Sequence, residues 1–148
     1  MLALSLEVVF FVKGIGSSVK NFKYNSIDVY TLRGTLMIII TYDEFKKVDL
    51  RSGTVIKVEE FTRAKKPAYK VWVDFGSEIG IKQTSAQITM HYTPESLVGC
   101  QVVGCVNLGS KNIGGFTSEF LLVGFPDINK QVCLVTVQPT VENGEKLF

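Results

Sequence analysis

From Thr41 onward, apolar and polar positions fall into short blocks of strand length separated by glycine, proline and polar turns. Thr41 followed three residues later by Glu44 has the form of a capping box and predicts one or two helical turns over residues 42–48. Asp49-Leu50-Arg51-Ser52-Gly53 breaks that helix. Residues 54–61 alternate, with Val55 on one side and Ile56, Val58 and Glu60 on the other, and residues 69–75 are rich in Val and aromatic side chains, so both predict strands. The loop between them, residues 62–68, is basic and carries Pro67, through which neither strand can run.

Residues 79–83 predict a short third strand. Residues 85–92 contain Ala86, Ile88, Thr89 and Met90 without a breaker, which predicts a short helix closed by Thr93-Pro94. Further strands are predicted at 101–107, 119–123 and 131–137, divided by a glycine-bearing loop at 109–115 and by Pro126-Asp127. The expected fold class is all-β. Five main strands out of these six, with a short helix between the third and fourth, suggest a Greek-key barrel of the oligonucleotide-binding type (OB-fold), with short terminal additions. Another small β-barrel would leave the same pattern.

Residues 1–36 differ: an apolar run over residues 2–12, a Gly-Ile-Gly-Ser-Ser stretch at residues 14–18 and a mixed segment through Asn21, Tyr24 and Asn25 follow neither a helical nor a strand period. They are read as an N-terminal extension to a domain at residues 37–148. Arg33-Gly34, shortly before Met37, can be encoded by a purine-rich ribosome-positioning run, which makes Met37 the expected start. The apolar run is interrupted by Glu7, ends at Lys13 and is shorter than the roughly 18–20 residues of a membrane span. It lacks a preceding basic residue and a following cleavage site, so secretion is not expected.

Composition refines this picture. The chain has 148 residues, 46% hydrophobic and 20% charged, which excludes disorder, and its size suffices for a core without metal or disulfide. The odd cysteine count (Cys100, Cys105, Cys133) indicates a reducing cytoplasm. The net charge of +2 arises in residues 1–36, where Lys13, Lys20, Lys23 and Arg33 face Glu7 and Asp28, leaving residues 37–148 neutral. Polyanion binding there needs a local cluster, and residues 46–70 hold half of the chain's 16 basic residues. A rim of scattered, solvated lysines would look the same in the sequence.

Candidate chemistry points to binding rather than catalysis. The loop Phe61-Thr62-Arg63-Ala64-Lys65-Lys66-Pro67-Ala68-Tyr69-Lys70 can grip a phosphate backbone while a barrel stays rigid. Trp72, inside a strand with apolar neighbours, is read as a core residue rather than a stacking platform. Thr84 and Ser85, just ahead of the predicted helix, can cap it or hold an anion. Asn107, Lys111, Gly114, Gly115, Ser118 and Glu119 place amide, amine and hydroxyl groups around one loop, a composition that turn chemistry also explains. His91 is the single histidine, Cys100 and Cys105 form no CxxC pair, and Asp74 with Glu78 lacks a partner base. No catalytic residue, metal or cofactor is therefore expected.

The runs Asp49-Leu50-Arg51-Ser52-Gly53, Ala64-Lys65-Lys66-Pro67-Ala68-Tyr69-Lys70, Asp74-Phe75-Gly76-Ser77-Glu78-Ile79-Gly80, Ser85-Ala86-Gln87-Ile88-Thr89, Val106-Asn107 and Phe116-Thr117-Ser118-Glu119 occur in one order. Together they resemble the stand-alone tRNA-binding domain proteins of the CsaA type, over residues 41–148. The resemblance implies an OB-fold homodimer related to tRNA-binding modules at the C-terminus of methionyl-tRNA synthetases and to endothelial monocyte-activating polypeptide II. It further implies a tRNA-binding surface of Lys65, Lys70, Lys82, Ser85, Gln87, Asn107, Lys111 and Ser118. Lysines would neutralise phosphates, and the polar side chains would bond sugar or base edges.

CsaA-type proteins are also described as export-related chaperones of unfolded peptides, so unfolded or pre-export peptides are the alternative partner. A dimeric scaffold for an aminoacyl-tRNA synthetase is a third reading. The resemblance places residues 36–40 and 132–137 where two copies could meet. Thr62 stands where the family carries proline, Lys65 where it carries arginine, and Gly109-Ser110 where it carries a proline pair, which implies more mobile loops and lower affinity.

Overall fold

A computed structural model describes residues 20–24, 27–32 and 35–147, which divide into two compact units at Phe45/Lys46. The apolar run at residues 2–12, the glycine-serine stretch at 14–18 and Arg33-Gly34 lie outside the described residues.

The first unit holds an antiparallel meander of β1 (Lys20–Tyr24), β2 (Ile27–Leu32) and β3 (Thr35–Ile39). The sequence has no strand period here. Content in Tyr, Phe, Val, Ile and Thr favours strands even without strict alternation. Met37, read above as the start, lies within β3 opposite Tyr30. The predicted first helix is α1 (Tyr42–Phe45), shorter than expected. Its capping box is present: the Glu44 N–H donates to Thr41 Oγ1 at 3.1 Å, and the Thr41 N–H donates to Glu44 Oε2 at 2.7 Å.

The second unit is a five-stranded antiparallel sheet in the order β10-β7-β4-β5-β6, curled into a nearly closed, OB-like barrel. Its strands are β4 (Leu50–Glu60), β5 (Tyr69–Asp74), β6 (Ile81–Ala86), β7 (Gln101–Cys105) and β10 (Leu121–Leu122). The hairpin β8 (Lys111–Ile113) and β9 (Phe116–Ser118) stands between β7 and β10, and β11 (Gly124–Pro126) with β12 (Val132–Leu134) follows. Closure runs between β6 and the segment entering β10, where the Glu119 N–H donates to Gln83 O and Thr84 Oγ1 donates to Phe120 O, both at 2.8 Å.

The core consists of residues that alternate inward, with Val55, Val71, Val73, Phe75 and Val102 fully buried. Phe75 meets Phe120 edge-on, ring centroids 5.0 Å apart. Residues 49–53, expected to break the helix, do lie beyond its end, and from Leu50 they also open β4 and pair with β7. A Cβ at Gly53 would stand 2.6 Å from Val73 and 2.7 Å from Phe75, so this glycine marks a close approach inside a strand rather than a turn.

The predicted helix at 85–92 is also replaced. Ser85 and Ala86 pair with Lys70 and Tyr69 at the end of β6, which holds them extended. The helix between the third and fourth barrel strands is α3 (Pro94–Leu97), which begins where the predicted helix ends. Thr93 is its N-cap and Pro94 supplies a preset φ and no surplus N–H, so the pair opens a helix rather than closing one. Before it, α2 (Gly76–Ile79) forms a single turn between β5 and β6.

The C-terminal segment forms an added edge on β4. The Ser52 N–H donates to Glu145 O, the Gly144 N–H to Ser52 O and the Leu147 N–H to Leu50 O, at 2.8–2.9 Å. Arg51, bound to Asp49 at 2.6 Å, also donates to Gly144 O.

Candidate functional site

β5 sends side chains alternately to two faces: Tyr69, Val71 and Val73 are buried, whereas Lys70, Trp72 and Asp74 lie on the partly open outer face. Antiparallel partners share a face, so Trp72 stands between Lys57 of β4 and Gln83 of β6, and Lys70 between Glu59 and Ser85. The expectation that Trp72 belongs to the core is overturned. Its face was legible in the sequence, because Val71 and Val73 claim the inner side on either flank.

The register shift between Val55 and Lys57 creates this row. An extra residue in one strand reverses the faces of everything after it. Ile56 is left exposed, Val58 packs on the core together with Val55, and Lys57 turns outward. Simple alternation had put Val58 on the side opposite Val55.

On the outer face the Lys57 ammonium lies 4.6 Å from the Trp72 ring centroid, and the indole N–H donates to Gln83 Oε1 at 3.1 Å. Lys57 also pairs with Glu59 at 2.7 Å, and this hydrogen bond holds the Glu59 carboxyl below the ordinary glutamate value. Phe116 of the β8–β9 hairpin stands edge-on to Trp72 at 5.9 Å and tilted against Phe61 at 5.7 Å. The Lys70 ammonium sits 5.5 Å from both phenylalanine centroids. Phe61, Phe116 and Lys57 were not among the predicted site residues, because nothing local in the sequence brings them to one face.

Four predicted residues line up across four strands. Lys70 pairs with Ser85, the Ser85 N–H donates to Ser118 Oγ at 3.0 Å, their hydroxyls are 3.1 Å apart, and Ser118 pairs with Lys111. Lys65 is exposed in the loop between β4 and β5, and Gln87 follows β6, where it lines the same groove as Ser85. Among the described residues, Arg63, Lys65, Lys66 and Lys111 have no carboxylate within salt-bridge reach.

Two predicted residues stand apart from this line. Lys82 pairs with Val73 and so takes the register of the inner face. The Asn107 amide accepts the Asp49 N–H at 3.0 Å and donates to Lys47 O at 2.6 Å, tying the end of β7 to the segment entering β4. Thr84, considered above as a cap or anion ligand, is buried, and its hydroxyl is bonded to Phe120 O. His91 is hydrogen-bonded to Asp127 at 2.8 Å, and no three His, Cys, Asp or Glu among the described residues are arranged to hold a metal ion.

The sequence profile of a family described as "Putative tRNA binding domain" matches residues 50–146. The chaperone CsaA of Bacillus anthracis is 42% identical, with a TM-score of 0.69 over 74% of this chain and 99% of that one. The CsaA chaperone protein of Picrophilus torridus is 39% identical, with a TM-score of 0.70 over 74% of this chain and 100% of that one. A methionine–tRNA ligase of Chlorobium chlorochromatii is 39% identical over 110 residues, 73% of this chain, and the chain spans 15% of that ligase's length.

Proposed function

The chain belongs to the tRNA-binding-domain family, and on that premise we propose that it is a non-catalytic module that binds folded tRNA on the outer face of β5 and β6. The observation that carries this reading is the row in which Lys70, Ser85, Ser118 and Lys111 lie side by side, flanked by Phe61, Trp72 and Phe116. OB-folds bind oligonucleotides on this pair of strands and on the two loops beside it, here the 61–68 loop and the β8–β9 hairpin. Lysines there displace counterions from phosphates, hydroxyls and amides bond sugar or base edges, and the partly open rings of Trp72 and Phe116 contact exposed bases, backed by the buried Phe61.

Lys65 and Lys111 are assigned to phosphates, Ser85 and Gln87 to sugar and base edges, Ser118, itself buried, to holding Ser85 in place, and Lys70 to both the rings and the backbone. The same proposal takes the working form as a homodimer in the cytoplasm. Three cysteines outside any disulfide favour a reducing compartment, and no helix among the described residues is long and apolar enough to cross a membrane.

The test is binding of the purified chain to unfractionated tRNA at low and at moderate salt. Affinity is expected to fall steeply with salt, with a log–log slope of about −0.7 to −0.9 per phosphate contacted. A second reading, a chaperone for unfolded peptides, is favoured by the likeness to two CsaA chaperones that this chain covers almost end to end. Salt-tolerant peptide binding with no tRNA binding at low salt would replace the first reading by the second.

A further inference from the structure

Beside the outer face, at the seam where β6 approaches β10, lies a groove of about 700 Å³. Ala68, Ile88 and Leu122 form its buried floor, and Ile113, Leu121 and Val132 its walls. Its rim carries Arg63, Lys65 and Lys66, and no carboxylate lines it. Ser85 and Phe61 belong both to the groove and to the row described above, so the two surfaces are continuous. The lip is close-fitting: a Cβ at Gly114 of the hairpin would stand 3.3 Å from Arg63 O, so the hairpin tip and the 61–68 loop approach each other there.

We infer that this groove takes one unpaired nucleobase of a bound RNA, with the flanking phosphates on Arg63, Lys65 and Lys66. The inference rests on the tRNA-binding reading. An apolar floor with a wholly cationic rim calls for a ligand that combines an apolar, flat body with adjoining negative charge, and a nucleotide is such a ligand. Gln87 supplies an amide able to reach a base edge, and its side chain makes no hydrogen bond among the described residues.

A peptide fits the groove less well. Extended peptides gain affinity by adding a strand to an open edge. Here the Ser85 N–H, Gln83 O and Phe120 O at the seam already have partners in Ser118, the Glu119 N–H and the Thr84 hydroxyl. The groove therefore offers side-chain contacts and charge, but not the backbone ladder.

The experiment compares two RNA hairpins of the same stem, one blunt and one with a single unpaired 3′ 2-aminopurine nucleotide, on the full chain. The overhang is expected to tighten binding about tenfold, with a change in 2-aminopurine fluorescence, in keeping with the stabilisation a stacked base supplies. The Leu121→Gln, Val132→Gln pair alters two partly exposed wall positions outside the two RNA-binding loops. It is expected to cut the overhang advantage to about twofold or less while blunt-hairpin affinity stays unchanged, which also shows that the variant is folded. Equal affinity of the two hairpins for the native chain, or an advantage that survives the wall substitutions, overturns the nucleobase assignment alone. Failure of both hairpins to bind at low salt overturns it together with the RNA reading. Binding of an apolar, acidic peptide that the wall substitutions abolish, with no overhang advantage, gives the groove to a peptide and overturns it as well.

Discussion

Phe75→Ala is expected to lower the free energy of unfolding by about 3–5 kcal/mol. The side chain is fully buried and stands edge-on to Phe120. Two strands are cut away to admit it: a Cβ at Gly53 would approach the ring to 2.7 Å, and one at Gly104 would approach Phe75 and Phe120 to 2.7 and 2.8 Å. Truncating Phe75 therefore leaves a cavity lined by backbone of β4 and β7, which cannot easily collapse. Urea unfolding monitored by circular dichroism reads the change as a shift in midpoint at constant slope. The glycines supply an internal check. Gly104→Val by itself overpacks the same space and is expected to cost about 1–3 kcal/mol, but in the Phe75→Ala background it should cost less, because the added atoms enter the vacated volume. A Phe75→Ala loss below about 1 kcal/mol would mean that the barrel closes over the missing ring and that no cavity remains.

Lys65→Ala combined with Lys111→Ala is expected to reduce the steepness of the salt dependence of tRNA binding by about two, one for each phosphate contact removed, and to weaken binding across all tRNAs alike. Both side chains are exposed and without a carboxylate partner among the described residues, so their removal should leave the unfolding midpoint unmoved. Two single variants sharpen the test. Lys82→Ala, in the register of the inner face, should change the slope less than either of the first two lysines. Asn107→Ala removes hydrogen bonds to Asp49 and Lys47 and should lower the unfolding midpoint rather than the salt slope. Fluorescence anisotropy over a salt series gives all the slopes. An unchanged slope in the double variant would remove Lys65 and Lys111 from the interface.

Parts of this arrangement were legible along the chain. The Thr41/Glu44 capping box, the basic loop after Glu60 and the alternation of β5 all follow from residues within one or two turns of each other. The alternation alone sets Lys70 and Trp72 on one face, although the apolar neighbours of Trp72 suggested burial. Thr93-Pro94 carried the right signal with the wrong sense, since the same pair can end one element or cap the next. What decided it was β6, whose pairing with β5 holds Ser85 and Ala86 extended and leaves no room for a helix before Thr93.

The sequence by itself determined the all-β class, the succession of the barrel strands along the chain, the presence but not the position of a helix between the third and fourth, and the family motifs, because each depends on local pattern or on a contiguous run of residues. Only the tertiary structure decided which side chains share a surface. The bulge after Val55 moves Lys57 over Trp72, the closure of the barrel brings Ser118 to Ser85, and the end of β7 turns Asn107 into a clamp. These are contacts between residues 15 to 60 positions apart. A single inserted residue reverses every face beyond it, so the surface is settled by which strands pair and in what register, and no local pattern records that choice.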